Sequence, residues 1–409
     1  MGYLKTIINA VYWSIAQRWV VRGLSFVRIA VLARILLPVQ IGVFGIATLV
    51  LGFLEVFTET WINVFLVQEE GDIDHYINTA WVISILRGLF IGLLILVGAP
   101  FISNFFNSPR SLSVILLISL VPVIRGFINP SVAKLQKELQ FKNEFKFKSV
   151  LFVVEAVFSI GLALITHQAI SLVWGMLVCA IVEVVLSFIY FHPKPKFVID
   201  RSLSSKILHR GKWVTAAGIF NYLYQNGDNL VVGKLLGEYS LGLYSNAYKI
   251  SSLPISEVSD VIARVTFPVY VKISSDAKRL TRAFVKSSLI VSLVSVFMGL
   301  VLYVFAHPVV LIVLGSSWLE AVPALRVLAL YGVAKSITNT FFPVFLATKR
   351  QDYITWISLA SVLGLGITII PLVNSLGIVG AGLAATFGAM LALPFSFYFV
   401  YRLLWSHRS

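Results

Sequence analysis

LARILLPVQIGVFGIA, residues 32–47, returns two hundred positions later as VGKLLGEYSLGLYSNA, residues 232–247, without a gap. Leu36 aligns with Leu236, Gly42 with Gly242 and Ala47 with Ala247. Arg34 meets Lys234, Ile41 meets Leu241 and Phe44 meets Tyr244. A softer pair lies further on, in GLLILVGAP from Gly92 and GLVLYVFAHP from Gly299. A chain of 409 residues that repeats itself half a length apart reads as two copies of one structural unit.

The solvent of those copies follows from composition. The chain is 58% hydrophobic and 12% charged, with a mean hydropathy of +0.90. Soluble domains run about 45–50% and about 25%, so there is too little polar surface to cover a globule of this size in water. A helix crossing the hydrocarbon of a bilayer needs about 20 apolar residues. Twelve stretches qualify, at 8–33, 40–66, 78–101, 111–132, 149–167, 170–191, 211–234, 240–268, 284–306, 320–346, 353–373 and 376–403. Their apolar runs are continuous rather than alternating, which excludes a β-barrel. The first stretch carries Arg18, Arg22 and Arg28 and no A-x-A site follows, so it is read as a span and not a cleaved signal. The single cysteine, Cys179, has no intrachain partner and reads as a small buried hydrophobe.

The net charge of +15 is distributed by side. Five lysines lie in KLQKELQFKNEFKFK between spans 4 and 5, and six basic residues lie between spans 6 and 7 with the start of span 7. Five more follow span 8, two follow span 10, and Lys5, Arg402 and Arg408 flank the ends, giving 21 on one side. The other side has three: Arg34, Arg110 and Lys234. Cytoplasmic loops carry the Lys/Arg excess, so both termini are expected in the cytoplasm, with an even number of spans. The acidic loop QEEGDIDHYIN does not alter this, because acidic residues carry little weight in orientation. The Lys/Phe alternation in FKNEFKFK suits anionic lipid headgroups, and nucleic acid is not expected as a partner.

Six spans separate the repeated segments, so the halves share one orientation. The expected fold is all-α and membrane-embedded, with about twelve transmembrane helices in two six-helix lobes related by a parallel repeat, as in some secondary transporters. The lobes are expected at 1–195 and 209–409, joined by a cytoplasmic linker at 196–208. The stretch around it, PKPKFVIDRSLSSKIL, has the prolines and charges of a loose tether that lets the halves rock.

Ionisable groups inside spans are costly and normally face a cavity or a partner. Arg18 and Arg22 are four apart on one helix face, and like charges at that spacing repel. With Arg28, Arg87 and Arg125 they make five arginines inside the spans of the first half, against Glu55, Glu59, Glu155 and Glu183. Guanidinium forks match phosphate oxygens, so these arginines are candidate ligands for an anionic headgroup. The bland reading is that each pairs with one of the acids or snorkels to an interface. In the second half Asp228 stands where the first has Arg28. Asn221, Gln225 and Asp228 share one helix face among Tyr222, Tyr224, Asn226 and Asn229, which suits sugar or a coupling cation; interhelical hydrogen bonding is the alternative. Lys249 is a further candidate for substrate. Glu257, Asp260 and Arg264, with Glu59, are candidates for coupling or gating. Arg326 and Lys335 lie on span 10.

Phosphate-loop, metal-ligand and G-x-S-x-G patterns do not occur, and the loops are too short for a catalytic domain. A non-enzymatic transporter is favoured over a membrane-embedded polysaccharide-assembly enzyme. No cofactor is expected, beyond possible coupling to a proton or sodium ion.

These residues carry a resemblance. VRIAVLARILLPVQIGVFGIATLVLGFLEVFTE and NTAWVISILRGLFIGLLILVGAPFISNFFN resemble oligosaccharide flippases of the MOP superfamily, of the Wzx-type and WzxC-like group. The second half repeats the likeness in NGDNLVVGKLLGEYSLGLYSNAYKI, IARVTFPVY and LRVLALYGVAKSITNTFF. The resemblance spans nearly the whole chain. It implies movement of a polyprenyl-diphosphate-linked oligosaccharide from the cytoplasmic to the outer leaflet of the cell membrane, by alternating access through a cationic central cavity. Arg22 and Arg28, helped by Arg18, Arg87 and Arg125, would then hold the anionic part. The implied partners are the lipid-linked oligosaccharide, the bilayer, and polymerase or other assembly proteins. Export of drugs or other small molecules is the alternative within the superfamily.

Overall fold

The repeated stretch folds as a helix, a turn and a second helix in both copies. In the first copy a helix over residues 20–35 (α1) stops at Leu36, and Leu37 takes an extended backbone (φ −75°, ψ 161°). Pro38 then opens α2 (Pro38–Phe57), where its fixed φ and missing N–H suit the first turn. In the second copy the same corner is Gly237, at φ 81° and ψ −175°. This backbone conformation is open essentially to glycine alone. The computed structural model describes residues 20–58, 62–69 and 71–404, and it holds no strand among them.

Beyond α2 come α3 (Ile62–Gln68), α4 (Asp74–Phe105), α5 (Ser111–Ile118), α6 (Leu120–Arg125), a 3₁₀ turn (Pro130–Ala133) and α7 (Lys134–Lys137). The order continues with α8 (Phe141–Thr166), α9 (Ile170–Tyr190), α10 (Arg201–Ile273) and α11 (Ala277–Val304). It ends with α12 (Ala306–Val313), a 3₁₀ turn (Ser316–Ala321), α13 (Val322–Asn339), α14 (Phe342–Ala347) and α15 (Gln351–Leu404). The chain is a multi-pass membrane protein. Seven of its described helices are long and apolar enough to cross a bilayer, and eight if a pair bent by 75° is taken as one span. A straight helix of the 54 residues of α15 would reach about 80 Å, against a hydrocarbon core of about 30 Å. Gly377, at φ 59°, divides it, as Gly237 divides α10.

Two expected spans are interrupted. Within the stretch 40–66, α2 ends at Phe57, Thr58 takes a non-helical backbone (φ −101°, ψ 5°), and α3 is described from Ile62. The stretch 111–132 ends its helix at Arg125, bends, and continues as the 3₁₀ turn from Pro130. Proline disfavours helical backbone in the residue before it, and Asn129 is extended (φ −66°, ψ 117°). Its side chain accepts from Ser131 N at 3.0 Å and caps the new turn.

The chain divides into two compact units, Met1–Gly227 and Asp228–Ser409. In the first, α8 lies along α9 and α4 along α5 and α6. The α4–α6 approach is backbone to backbone, since a Cβ on Gly88 would run into the Pro122 carbonyl. The first unit extends past the expected start of the second lobe because Tyr222 of α10 reaches back, its hydroxyl donating to Leu49 O at 2.5 Å. In the second unit α13 packs on α11 and α15, around a core that includes Phe284, Phe341, Phe345, Tyr353 and Ile357.

The segment expected as a loose tether is strapped down. Asn129 Nδ2 donates to the carbonyls of Phe191 (3.1 Å) and Pro193 (3.2 Å), and Ser131 Oγ donates to Pro193 O at 2.9 Å. Lys196 N donates to Asn78 Oδ1 at 2.8 Å and Asp200 N to Thr79 Oγ1 at 3.1 Å. Helix begins again at Arg201, inside the expected linker.

Candidate functional site

The break after α6 leaves Arg125 on the last turn of a helix, where a cation meets the unsatisfied carbonyls and the negative end of the dipole. Its guanidinium sits between two carboxylates without closing on either. Nη1 is 3.9 Å from Glu55 Oε1, and Nε is 3.9 Å from Glu183 Oε2. Both distances exceed a hydrogen bond. Arg125 Nε is buried and has no hydrogen-bond partner. A buried unpaired donor costs about 1–3 kcal/mol, more when charged, so it marks a place where an acceptor is wanted.

Arg125 lines a cavity of about 420 Å³ inside the first unit, bounded by α2, α4, α6, α8, α9 and the turn after Asn129. Arg87 lines it from α4. Arg87 Nη2 donates to the carbonyl of Glu55 at 2.7 Å and Nε to Thr58 Oγ1 at 3.3 Å, so it caps the end of α2. On the opposite wall Glu144 accepts from Gln136 Nε2 at 2.8 Å and pairs with Lys148 at 2.5 Å. The ionisable lining is Arg87, Arg125 and Lys148 against Glu55, Glu144 and Glu183, three of each sign. The basic excess expected of a substrate chamber is therefore not present in this cavity; arginines and acids are matched, which lowers the cost of burying both.

The remaining candidates are dispersed. Arg28 does not line this cavity: Nη1 donates to Glu155 Oε1 at 2.5 Å, the two side chains being 24% and 21% exposed, and its guanidinium lies 5.6 Å from the Phe152 ring centre. Arg28 thus meets the pairing alternative. Arg22 is exposed on α1. Arg18 and Glu59 lie outside the described residues, as does the side chain of Asn221. Gln225 is exposed whereas Asp228 is 4% exposed, so the described part of that polar face is split. In the second unit Asp228 accepts from Tyr244 Oη (2.8 Å), Asn229 N (2.8 Å) and Asn229 Nδ2 (3.1 Å). Nearby in sequence Lys249, Glu257 and Asp260 are half-buried and Arg264 is exposed. Lys335 donates to Tyr248 Oη at 3.2 Å and lies over the Tyr331 ring at 5.4 Å.

Sequence reasoning brought Arg87 and Arg125 to the same account and missed Gln136, Glu144 and Lys148. Span 5 was expected from residue 149, which left Glu144 and Lys148 in a loop. The helix starts at Phe141, and its first turn turns Glu144 inward. The i, i+4 spacing of Glu144 and Lys148 was the available signal.

With that geometry in hand, the chain can be set beside known proteins. A family model described as polysaccharide biosynthesis protein matches residues 31–323. Lipopolysaccharide biosynthesis protein WzxC of Escherichia coli (strain K12) is 26% identical over 356 residues, 86% of this chain and 72% of the relative. The structure of lipid II flippase MurJ in an inward closed conformation matches with a TM-score of 0.78 at 17% identity, over 95% of this chain and 87% of that one. An inward-facing multidrug resistance MATE family transporter of the MOP superfamily matches with a TM-score of 0.70 at 14% identity, over 93% and 94%. The fold is the one these transporters share.

Proposed function

The chain belongs to the polysaccharide biosynthesis protein family, and from that premise we propose that it is a flippase for polyprenyl-diphosphate-linked oligosaccharides. It moves the headgroup from the cytoplasmic to the outer leaflet of the cell membrane by alternating access, with twelve crossings and both termini in the cytoplasm. Gly237 and Gly377 make two of the turns between crossings. The lobes 1–195 and 209–409 are its two repeats. The relationship to WzxC and the shared fold with the lipid II flippase MurJ support this reading. The observation that carries it is the buried Arg125 Nε, unpaired at the bend of a broken helix in a cavity with Arg87. Discontinuous helices are where such transporters build their sites.

In this reading a phosphate oxygen supplies the acceptor that Arg125 lacks, and Arg87 and Lys148 extend the contact. Glu55 and Glu183 hold the guanidinium only at 3.9 Å, so an oxyanion at hydrogen-bond distance outcompetes them. The two acids then lose their counter-charge, and taking up a proton restores neutrality. That is a route to proton coupling through Glu55 or Glu183. Asp228, Gln225 and Asn221 serve the sugar or a cation in the second lobe.

The test is headgroup translocation in proteoliposomes, with and without a pH gradient. Arg125→Gln removes the charge and the guanidinium fork, leaving only a shorter neutral amide, and a loss of about 10–100-fold in rate is expected at unchanged protein level and melting temperature. Undiminished translocation by Arg125→Gln would falsify the assignment. Tight binding of organic cations with none of diphosphate lipids would move the protein to the multidrug reading.

A further inference from the structure

A second cleft, of about 690 Å³, lies on the basic end of the first unit between the start of α8 and the end of α9. It is separate from the Arg125 cavity in chemistry. Its floor is apolar, with Phe147, Val150, Leu186 and Tyr190, and its rim is polar, with Asn143, Lys146 and His192. The two other charges on the rim are engaged: Lys134 pairs with Asp74 at 2.6 Å, and Glu138 accepts from Gln140 Nε2 at 2.7 Å. Lys146 is exposed and has no carboxylate partner among the described residues.

The floor continues into a face made for lipid. Lys146, Val150, Val153 and Val157 follow the i, i+4, i+7, i+11 positions of one helix face. The three valines are 49%, 49% and 61% exposed, which in a membrane helix means open to acyl chains. On α9 Ile181, Val185, Ile189 and Tyr190 are likewise exposed, Tyr190 at 68%. Tyrosine and lysine at the end of such faces belong at the headgroup level. Asn143 Nδ2 spends one N–H on Gln140 Oε1 at 3.0 Å and keeps the other. One end of the cleft therefore offers a cation and one amide N–H, and the other offers an apolar track leading away along α8.

We infer that this cleft binds one anionic phospholipid, its phosphate at Lys146 and Asn143 and its chains along the exposed faces of α8 and α9. The bilayer is the source, because the apolar track has no use for a free phosphate. The site does not depend on the transport reading. It would anchor the first unit to the leaflet on its lysine-rich side.

The experiment is native mass spectrometry of the full chain in detergent, titrated with phosphatidylglycerol or phosphatidylcholine. One phosphatidylglycerol should be retained at a concentration about fivefold or more below that for phosphatidylcholine, the effect expected of one lysine near anionic lipid. Lys146→Glu should weaken that step about tenfold or more, and Tyr190→Ala should weaken both lipids. Lys278→Glu, exposed at the start of α11, should leave it unchanged. Three results overturn the inference: equal retention of the two lipids, equal weakening by Lys146→Glu and Lys278→Glu, or displacement of the lipid by millimolar inorganic phosphate.

Discussion

Positions 28 and 228 stand at the same place in the repeat and carry opposite charges. Arg28 is a quarter exposed and closes an ion pair with Glu155. Asp228 is sealed at 4% exposure and takes three donors from Tyr244 and Asn229. Around them the scaffold is nearly the same. Ile41, Val43 and Ala47 are buried in one copy, and their counterparts Leu241, Leu243 and Ala247 in the other. The apolar pattern and the corner between two helices define the unit, while the ionisable groups are free to diverge, because function resides in sites placed on a fold. Even position 44 shows the split. Phe44 is half-buried, whereas Tyr244 is fully buried and spends its hydroxyl on Asp228.

The largest expected effect of breaking this comparison is at Asp228. Asp228→Ala removes the acceptor of three buried donors and is expected to cost about 2–4 kcal/mol, read as a lowered unfolding midpoint of the purified protein. Asp228→Asn keeps one acceptor and should recover about half of that loss. If the alanine variant melts with the parent, the buried network does not hold the second unit together.

The corner comes next. Gly237→Ala places a Cβ at φ 81°, ψ −175°, a strain of about 1–3 kcal/mol. The matching change in the first copy, Leu37→Gly, falls where φ is −75° and any residue fits, and should cost under about 1 kcal/mol. Equal melting temperatures for the two variants would mean that the second corner does not depend on the positive-φ backbone of Gly237.

A smaller effect tests Arg28 itself. A double-mutant cycle of Arg28→Gln and Glu155→Gln should give a coupling of about 1–2 kcal/mol, reduced from the value for a dry pair because both side chains are partly exposed. The same variants sharpen the functional reading. If a phosphate borrows Arg28 from Glu155, Glu155→Gln raises affinity for a diphosphate lipid and Arg28→Gln lowers it. A purely structural pair would change stability and leave both affinities alone.

Much of the fold was legible because it depends on properties that one residue type announces alone. Continuous apolar stretches marked the helices, and the offset of two hundred exposed the repeat. The breaks were not, because Arg125-Gly-Phe-Ile-Asn129-Pro130 is apolar enough to pass for a span while its glycine and proline bend it. The site was half legible. Arg87 and Arg125 were found by their cost in lipid, but their partners depend on tertiary geometry. Arg28 turned to Glu155 on α8 and not to a chamber, and a count of arginines against acids could not say which would meet. The strapping of residues 191–200 rests on Asn129, Ser131, Asn78 and Thr79, whose partners lie about sixty to a hundred and twenty positions away.

The softer repeat, Gly92 and Gly299, offers the finest contrast. In both copies the glycine sits inside a long helix, where replacing it with alanine gains about 0.5–1 kcal/mol of helix propensity. What the new methyl meets differs. At Gly92 it would lie 2.8 Å from the carbonyl oxygen of Ser119 and 2.5 Å from a methyl of Val123, so backbone must move against backbone. At Gly299 it would come closer still to a methyl of Val333, so that side chain must move, but the nearest carbonyl, that of Ala329, stays 3.7 Å away. A side chain yields by a rotamer change or a small shift, while α4 and α6 yield only by separating along their length. Overpacking costs about 1–3 kcal/mol where nothing can give. Gly92→Ala should therefore lower stability more than Gly299→Ala, where only the Val333 side chain must give, with a difference of about 1 kcal/mol between them. Matched melting curves would show that α4 and α6 do not depend on this close approach.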